Sequence, residues 1–411
     1  MNATTDVTLR WLGVPDLEAL LARLARELEL VAPVAVEDEV MFLPVRDPVE
    51  ICRDYVNSLV PPKEHFLPTP EPLVAYRVEG GTATLEADGE APRERVIFGI
   101  RSCDVAGIAY LERYFSGALF DRPDLADAPF MRRREATTLI SVVCQQPGPT
   151  CMCVCCKGGP ALERGFDWQL TELEGGWLVE IGSARGERLA ARYADLLRSP
   201  PPSAAGEKQA RVHATVERFA AASPHRVPSM AATRMVSTGR LDAEFWRNVG
   251  DRCFECGGCA FVCPTCWCFN VADVAGAGEA SFRPEGDDPL PMVPGGVTGG
   301  TPDGRWVRVR LRDNCQLAGF VRQAGGGYPR WTCAERCLTR FFHKLSQQFQ
   351  VRMGAAGCTG CGRCIITCLG ERGIDRVAEG MRDALTGPGR ASRAPLRPAA
   401  ASAAAGTGDE S

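Results

Sequence analysis

Histidine is scarce in this chain. The four that occur, His65, His213, His225 and His343, are scattered with no pair at helical spacing, which removes most histidine-rich zinc and di-iron schemes. Strong charge of either sign is missing too. A formal net charge of −4 argues against a nucleic-acid binder, which usually shows a strongly basic face. No apolar run reaches the length of about eighteen residues that a membrane span needs. The opening Met1-Asn2-Ala3-Thr4-Thr5-Asp6 has neither the basic start nor the apolar stretch of a secretory signal, so the expected compartment is the cytoplasm. There is no phosphate-cradling G-x-x-x-x-G-K-[ST] loop and no G-x-G-x-x-G opening a helix after a strand. Gly325-Gly326-Gly327 lacks that context and reads as a loop.

Cysteine is what the sequence has in excess, with 20 in 411 residues. In a small secreted protein that number would mean disulfides, but a large chain without a signal sits where thiols stay reduced. Reduced cysteines in groups point to metal, and with histidine so sparse the ligands must be sulfur.

The apolar share of 45% allows at least one sizeable core, and the length allows two domains. Asp16 to Leu30 place Leu17, Leu20, Leu21, Leu24 and Leu28 on one face of an amphipathic helix. The runs 95–100 and 138–143 are short, apolar and β-branched, and they lead to Cys103 and Cys144. With a helical stretch at 105–115 between them, they predict an α/β amino-terminal domain. A strand pair is expected at 166–173 and 177–181. Ser199 to Gly206 reads as a linker, stiff at its prolines. Residues 282–304 read as a long Pro/Gly loop, 334–349 as a helix, and the Ala/Ser/Gly/Pro/Arg stretch from about 387 as disordered. The class is therefore α+β. The expected plan is an α/β domain over 1–200, a linker and helical segment over 201–250, a bacterial-ferredoxin-like dicluster domain over 251–385, and a disordered tail over 386–411.

Two motifs carry the chemistry. Cys253, Cys256, Cys259 and Cys263, followed by Pro264, form a complete C-x2-C-x2-C-x3-C-P run, and Cys358, Cys361, Cys364 and Cys368 repeat the spacing. Three cysteines at three-residue steps on a tight loop can each reach a different iron of one cube. The fourth, a turn into a helix, points to the other cluster when two motifs pair. Crossing the fourth ligands assigns one 4Fe-4S cluster to Cys253, Cys256, Cys259 and Cys368, and the other to Cys358, Cys361, Cys364 and Cys263. Uncrossed ligation is the alternative, though it would put the fourth sulfur on the wrong side of its helix. Zinc fits poorly, because structural zinc takes two C-x2-C pairs separated by a longer loop. Leu369 stands where proline is usual, and since proline is not a ligand the change should leave ligation intact.

Twelve cysteines lie outside these motifs. If the strands ending near Cys103 and Cys144 are neighbours, those two with Cys151 and Cys153 can converge on a third iron–sulfur site. The alternative is a set of reduced, partly buried thiols. Cys266, Cys268 and Cys315 are candidates to surround the first cluster. Cys52, Cys333 and Cys337 read as structural, the last two as helix neighbours. The basic run Met131-Arg132-Arg133-Arg134 reads as a solvated face or a docking patch.

The carboxy-terminal half resembles the 4Fe-4S dicluster family that contains the beta subunit of soluble NiFe hydrogenases (sulfhydrogenases) and the corresponding subunit of anaerobic sulfite reductase. The matching stretches are Cys263-Pro264-Thr265-Cys266-Trp267-Cys268, Arg312-Asp313-Asn314-Cys315, Tyr328-Pro329-Arg330 leading to His343-Lys344, and Cys358 to Cys364. Gly99-Ile100-Arg101-Ser102-Cys103-Asp104 and the Cys144–Cys153 loop extend the likeness to roughly residues 40 to 380. The departures are Leu369 and the added Cys155, Cys156, Cys333 and Cys337. The resemblance implies a non-catalytic electron-transfer subunit in a hetero-oligomer. Its neighbours would be a flavoprotein that handles NAD(P)H and a catalytic partner, either a hydrogenase or a sulfite reductase. The alternative is a catalytic protein using an amino-terminal cluster of its own.

Overall fold

The computed structural model describes residues 7–86, 92–222, 226–275, 303–323 and 325–386. The expected Pro/Gly loop lies almost entirely outside the described residues, and so does the tail from 387. Strands β1 (Thr8–Gly13), β2 (Glu29–Val36) and β3 (Glu39–Pro44) are followed by β4 (Glu71–Glu79), β5 (Thr82–Leu85), β6 (Arg95–Ile100) and β7 (Thr137–Val142). Next come β8 (Trp168–Leu173), β9 (Gly176–Ile181), β10 (Phe269–Ala275) and β11 (Gly304–Arg312). The helices are α1 (Val14–Glu27), α2 (Ser102–Phe115), α3 (Ala128–Glu135), α4 (Ala184–Arg192), α5 (Ala204–Ala222) and α6 (Arg226–Thr238). They continue with α7 (Ala243–Gly250), α8 (Gly258–Phe261), α9 (Cys333–Leu345), α10 (Gln347–Met353), α11 (Arg363–Ile366) and α12 (Ile374–Thr386).

Seven strands form one sheet in the order β1-β9-β8-β7-β6-β2-β3. The central strands β2, β6, β7 and β8 run parallel, while β1, β9 and β3 pair antiparallel at the flanks. β6 and β7 read as continuous apolar runs because both of their faces are covered. Val96 and Phe98 pack with the α1 leucines Leu17, Leu20, Leu21 and Leu24 and with Leu189 of α4. Ile97 and Ile100 pack on the other face with Ile108, Leu111 and Phe115 of α2. Gly99, at φ +83°, makes the bulge that shifts the β6–β7 register and lets the two faces alternate across it.

A second, antiparallel sheet runs β10-β11-β4-β5. Its inner pair joins β4, from the amino-terminal half, to β11, from between the two cysteine motifs. Beside it, α6, α7, α9 and α12 bury Met235, Trp246, Phe341, Val377 and Met381 in one apolar cluster over the motifs. The helix expected at 334–349 is two helices. Ser346 closes α9 with its amide on Phe342 O and opens α10 by accepting from the Phe349 amide at 3.2 Å.

Within the basic run at 131–134, Arg132 stays exposed as expected, but Arg133 and Arg134 turn inward. Buried Arg134 pairs with Glu112 at 2.9 Å and Asp167 at 3.6 Å, and Arg133 pairs with buried Glu71. Buried carboxylates on neighbouring elements recruit these guanidiniums.

Candidate metal centre

Each cysteine motif is a loop, a left-handed glycine and a single helical turn. Gly257 (φ +73°) precedes α8 and Gly362 (φ +78°) precedes α11, and the two short helices pack together. In the second motif the loop leaves no room for side chains. A Cβ on Gly360 would overlap the backbone of Cys153, and one on Gly362 the backbone of Thr150. The start of the first motif lies against the end of the second, since a Cβ on Gly370 would overlap the Arg252 carbonyl.

Between the motifs lies a cavity lined by Cys263, Cys358, Cys361, Cys364, Arg340 and Lys344. The fourth cysteine of the first motif thus faces the first three of the second. Cys259 of the first motif senses the charges of Cys364, Cys253 and Cys368. Burial pushes the Cys259 and Cys361 thiols up to about 12, so each stays protonated until a metal cation displaces the proton. Backbone amides already point at two of the sulfurs, Gly360 at Cys358 Sγ (3.4 Å) and Arg372 at Cys368 Sγ (3.1 Å).

The remaining cysteines gather around this core. Cys333 and Cys337 sit beside Cys253, and the three sulfurs lie within 4.8 Å of one another. Both thiols donate to Cys253 and favour its thiolate. They are therefore more than helix neighbours, a placement that one-turn spacing on α9 did not reveal. Cys266 lies against Cys263, Cys268 against Cys315, and Cys156 Sγ stands 3.8 Å from Cys358 Sγ.

Sequence reasoning missed a row of buried cations. Arg336, Arg340 and Lys344 recur every four residues along α9, each nearly inaccessible. Arg336 has an acid partner, Glu255, at 2.7 Å. Arg340 and Lys344, 3% and 4% exposed, pair with no carboxylate among the described residues. Lys344 Nζ donates to Thr265 Oγ1 at 2.7 Å, and Arg340 lies over the Phe341 ring with its Nε unpaired. Lys63, also buried, donates to the carbonyls of Cys263 and Cys266, and burial pulls its ammonium down to about 8. An uncompensated buried ion costs several kcal/mol even after relaxation. Arg340 and Lys344 line the cavity with thiols in place of acids, and four thiolates around an iron–sulfur core would supply the missing negative charge. The residues present fit such a group. The only signal in the sequence was three basic residues at four-residue steps in a helix, a pattern that usually marks a solvated face.

Arg363 is the cation that ties the halves together. It reaches both oxygens of buried Asp104 at 2.6 and 2.8 Å, and the carbonyl of Ser58 at 2.6 Å. Asn57 Nδ2 donates to Cys361 O at 3.0 Å.

A family model described as a 4Fe-4S dicluster domain matches residues 252–285 and 300–371. Such a domain carries two 4Fe-4S clusters. Across most of its length the chain is also similar to Sulfhydrogenase 2 subunit beta of Pyrococcus furiosus. The identity is 27% over 354 residues, covering 85% of this chain and 92% of that protein.

Proposed function

We propose that this chain, whose residues 252–285 and 300–371 match a 4Fe-4S dicluster domain, relays electrons inside a cytoplasmic hetero-oligomeric oxidoreductase. It would connect a flavin- and NAD(P)H-linked subunit to a catalytic partner such as a NiFe hydrogenase. The observation that carries this reading is the cavity in which Cys263 faces Cys358, Cys361 and Cys364 beside two cations that have no acid partner among the described residues. The proposed ligand sets are Cys253, Cys256, Cys259 and Cys368 for one cluster, and Cys358, Cys361, Cys364 and Cys263 for the other. Support for the partner class comes from the hydrogenase subunit to which the chain is similar.

When bound, the clusters supply one-electron chemistry whose potential depends on burial, charge and hydrogen bonds to sulfur. The protein's part is to set those three quantities. The apolar cluster of α6, α7, α9 and α12 packs against Cys253, Cys358 and Cys364, whereas Cys256 is exposed. The Gly360 and Arg372 amides point at sulfur, and Arg340 and Lys344 lend fixed positive charge. No acid, base or nucleophile is required. Among the described residues no helix is long and apolar enough to cross a membrane.

Anaerobic co-purification with iron and sulfide analysis and an EPR redox titration tests the reading. The expected result is reducible cubane signals in a complex that also contains flavin. Zinc in place of iron, or no acid-labile sulfide, would refute it. A sirohaem-containing partner would redirect it to sulfite reduction.

A further inference from the structure

β6 and β7 are parallel neighbours, so their carboxyl ends open on the same edge of the sheet. Ligands in open parallel sheets sit outside that edge. Cys103 lies there in the first turn of α2, and Cys144 lies just beyond β7. The loop after Gly148 folds back over the edge. Its far end is held there by the Cys144 amide on Pro160 O at 3.0 Å and by Ser102 Oγ, at the start of α2, on Gly159 O at 2.5 Å, while the Met152 amide ties it to Gly360 O of the second motif at 2.8 Å. That fold brings Cys151 and Cys153 to the same place. Cys144 senses Cys151, and its own charge acts on Cys103 and Cys153.

A second, independent feature lies beside these thiols. Arg101 is 8% exposed, and its Nε has no hydrogen-bond partner. Its guanidinium donates to the Tyr55 carbonyl and lies 4.2 Å from the centre of the Tyr55 ring. No carboxylate pairs with it among the described residues, because nearby Asp104 is engaged by Arg363. Arg101 acts electrostatically on both Cys144 and Cys151. A buried cation facing thiols without an acid partner is the arrangement found at the cavity between the two motifs.

The sulfur spacing separates a cluster from a single ion. Tetrahedral metal–sulfur bonds of about 2.3 Å place sulfurs about 3.8 Å apart. Among the described residues, only Cys253, Cys333 and Cys337 approach that as a group, with all three sulfurs within 4.8 Å. No three of the amino-terminal thiols come within 4.8 Å of one another, which argues against a single tetrahedral ion and leaves a cluster, whose ligands bind different irons.

We propose that Cys103, Cys144, Cys151 and Cys153 hold a third iron–sulfur cluster at the carboxyl ends of β6 and β7, with Arg101 supplying the compensating charge. It adjoins the second motif, since Cys103 also senses Cys361, and so lengthens the relay into the amino-terminal half. The proposal goes beyond the two-cluster reading and does not depend on which partners the chain has.

The test is iron and sulfide quantification on the anaerobically prepared full chain, with an EPR-monitored redox titration. Three cubanes give about twelve irons and three transitions. About eight irons with two transitions would remove the third cluster and leave the two-cluster relay standing. Cys144→Ala should lose about a third of the iron and one transition while the other two persist. Full iron retention in that variant would overturn the proposal. Arg101→Met should keep all the iron and move one transition to lower potential, each 59 mV corresponding to a tenfold change in the one-electron equilibrium. Three unmoved transitions would overturn the role given to Arg101. If Cys144→Ala does not fold, the wild-type iron count decides alone.

Discussion

Gly360 shows how little freedom one position has at this site. Its φ of +69° is a left-handed conformation, and any Cβ there would collide with the Cys153 backbone. Gly360→Ala should therefore cost at least about 1 kcal/mol of unfolding free energy from the backbone conformation alone. Chemical denaturation of the purified protein would measure it. Leu369, in contrast, is 81% exposed, so the missing proline of the first-motif pattern lies at a solvent-facing position. His65 makes a prediction of another kind. Burial, with help from Arg95, pulls its imidazole down to about 4, and neutral Nε2–H donates to Phe42 O at 3.1 Å. The unfolded chain binds this proton at about 6.5, so acidification from there towards 4 favours unfolding. His65→Gln should flatten the pH dependence of stability in that window. An unchanged slope would mean that His65 is not the titrating group.

At the scale of elements, α9 is the most informative. Replacing Arg340 by Met removes a buried positive charge beside the cavity thiols and leaves every thiol in place. Iron content should be unchanged while at least one midpoint potential falls, by about 59 mV for each tenfold change in the reduction equilibrium. Arg340→Lys should restore most of it. The difference between what the sequence revealed and what it hid is also clear here. Apolar periodicity exposed α1, β6 and β7 because their faces are covered by apolar partners. The cations of α9 and the inward turn of Arg133 and Arg134 stayed hidden. Their burial depends on groups far along the chain, Glu71, Glu112 and the cysteine motifs, that no local window contains. The cysteine spacing announced the two motifs, yet it could not show that Cys333 and Cys337 lie beside Cys253.

At the scale of the molecule, the two halves are fastened together. β4 pairs with β11, Arg363 reaches Asp104, and Lys63 holds the Cys263 carbonyl. A fragment starting at residue 251 would lose β4, one of the two neighbours of β11, and leave Arg363 as a buried charge without its acid. Such a fragment should hold less iron and lose it faster in air than the full chain. Equal retention would show that the amino-terminal half is dispensable to the clusters. Asp104→Asn should act in the same direction, because breaking one side of a buried pair costs about 3–5 kcal/mol. The central claim is that each motif lends its last cysteine to the other's cluster, and iron counting in a double variant tests it most directly. With crossed ligation, Cys263→Ala and Cys361→Ala each remove one cluster's worth of iron, about four atoms, and the double variant removes no more than either alone. Loss of about eight atoms in the double variant would mean that Cys263 serves its own motif's cluster, contradicting the crossed arrangement.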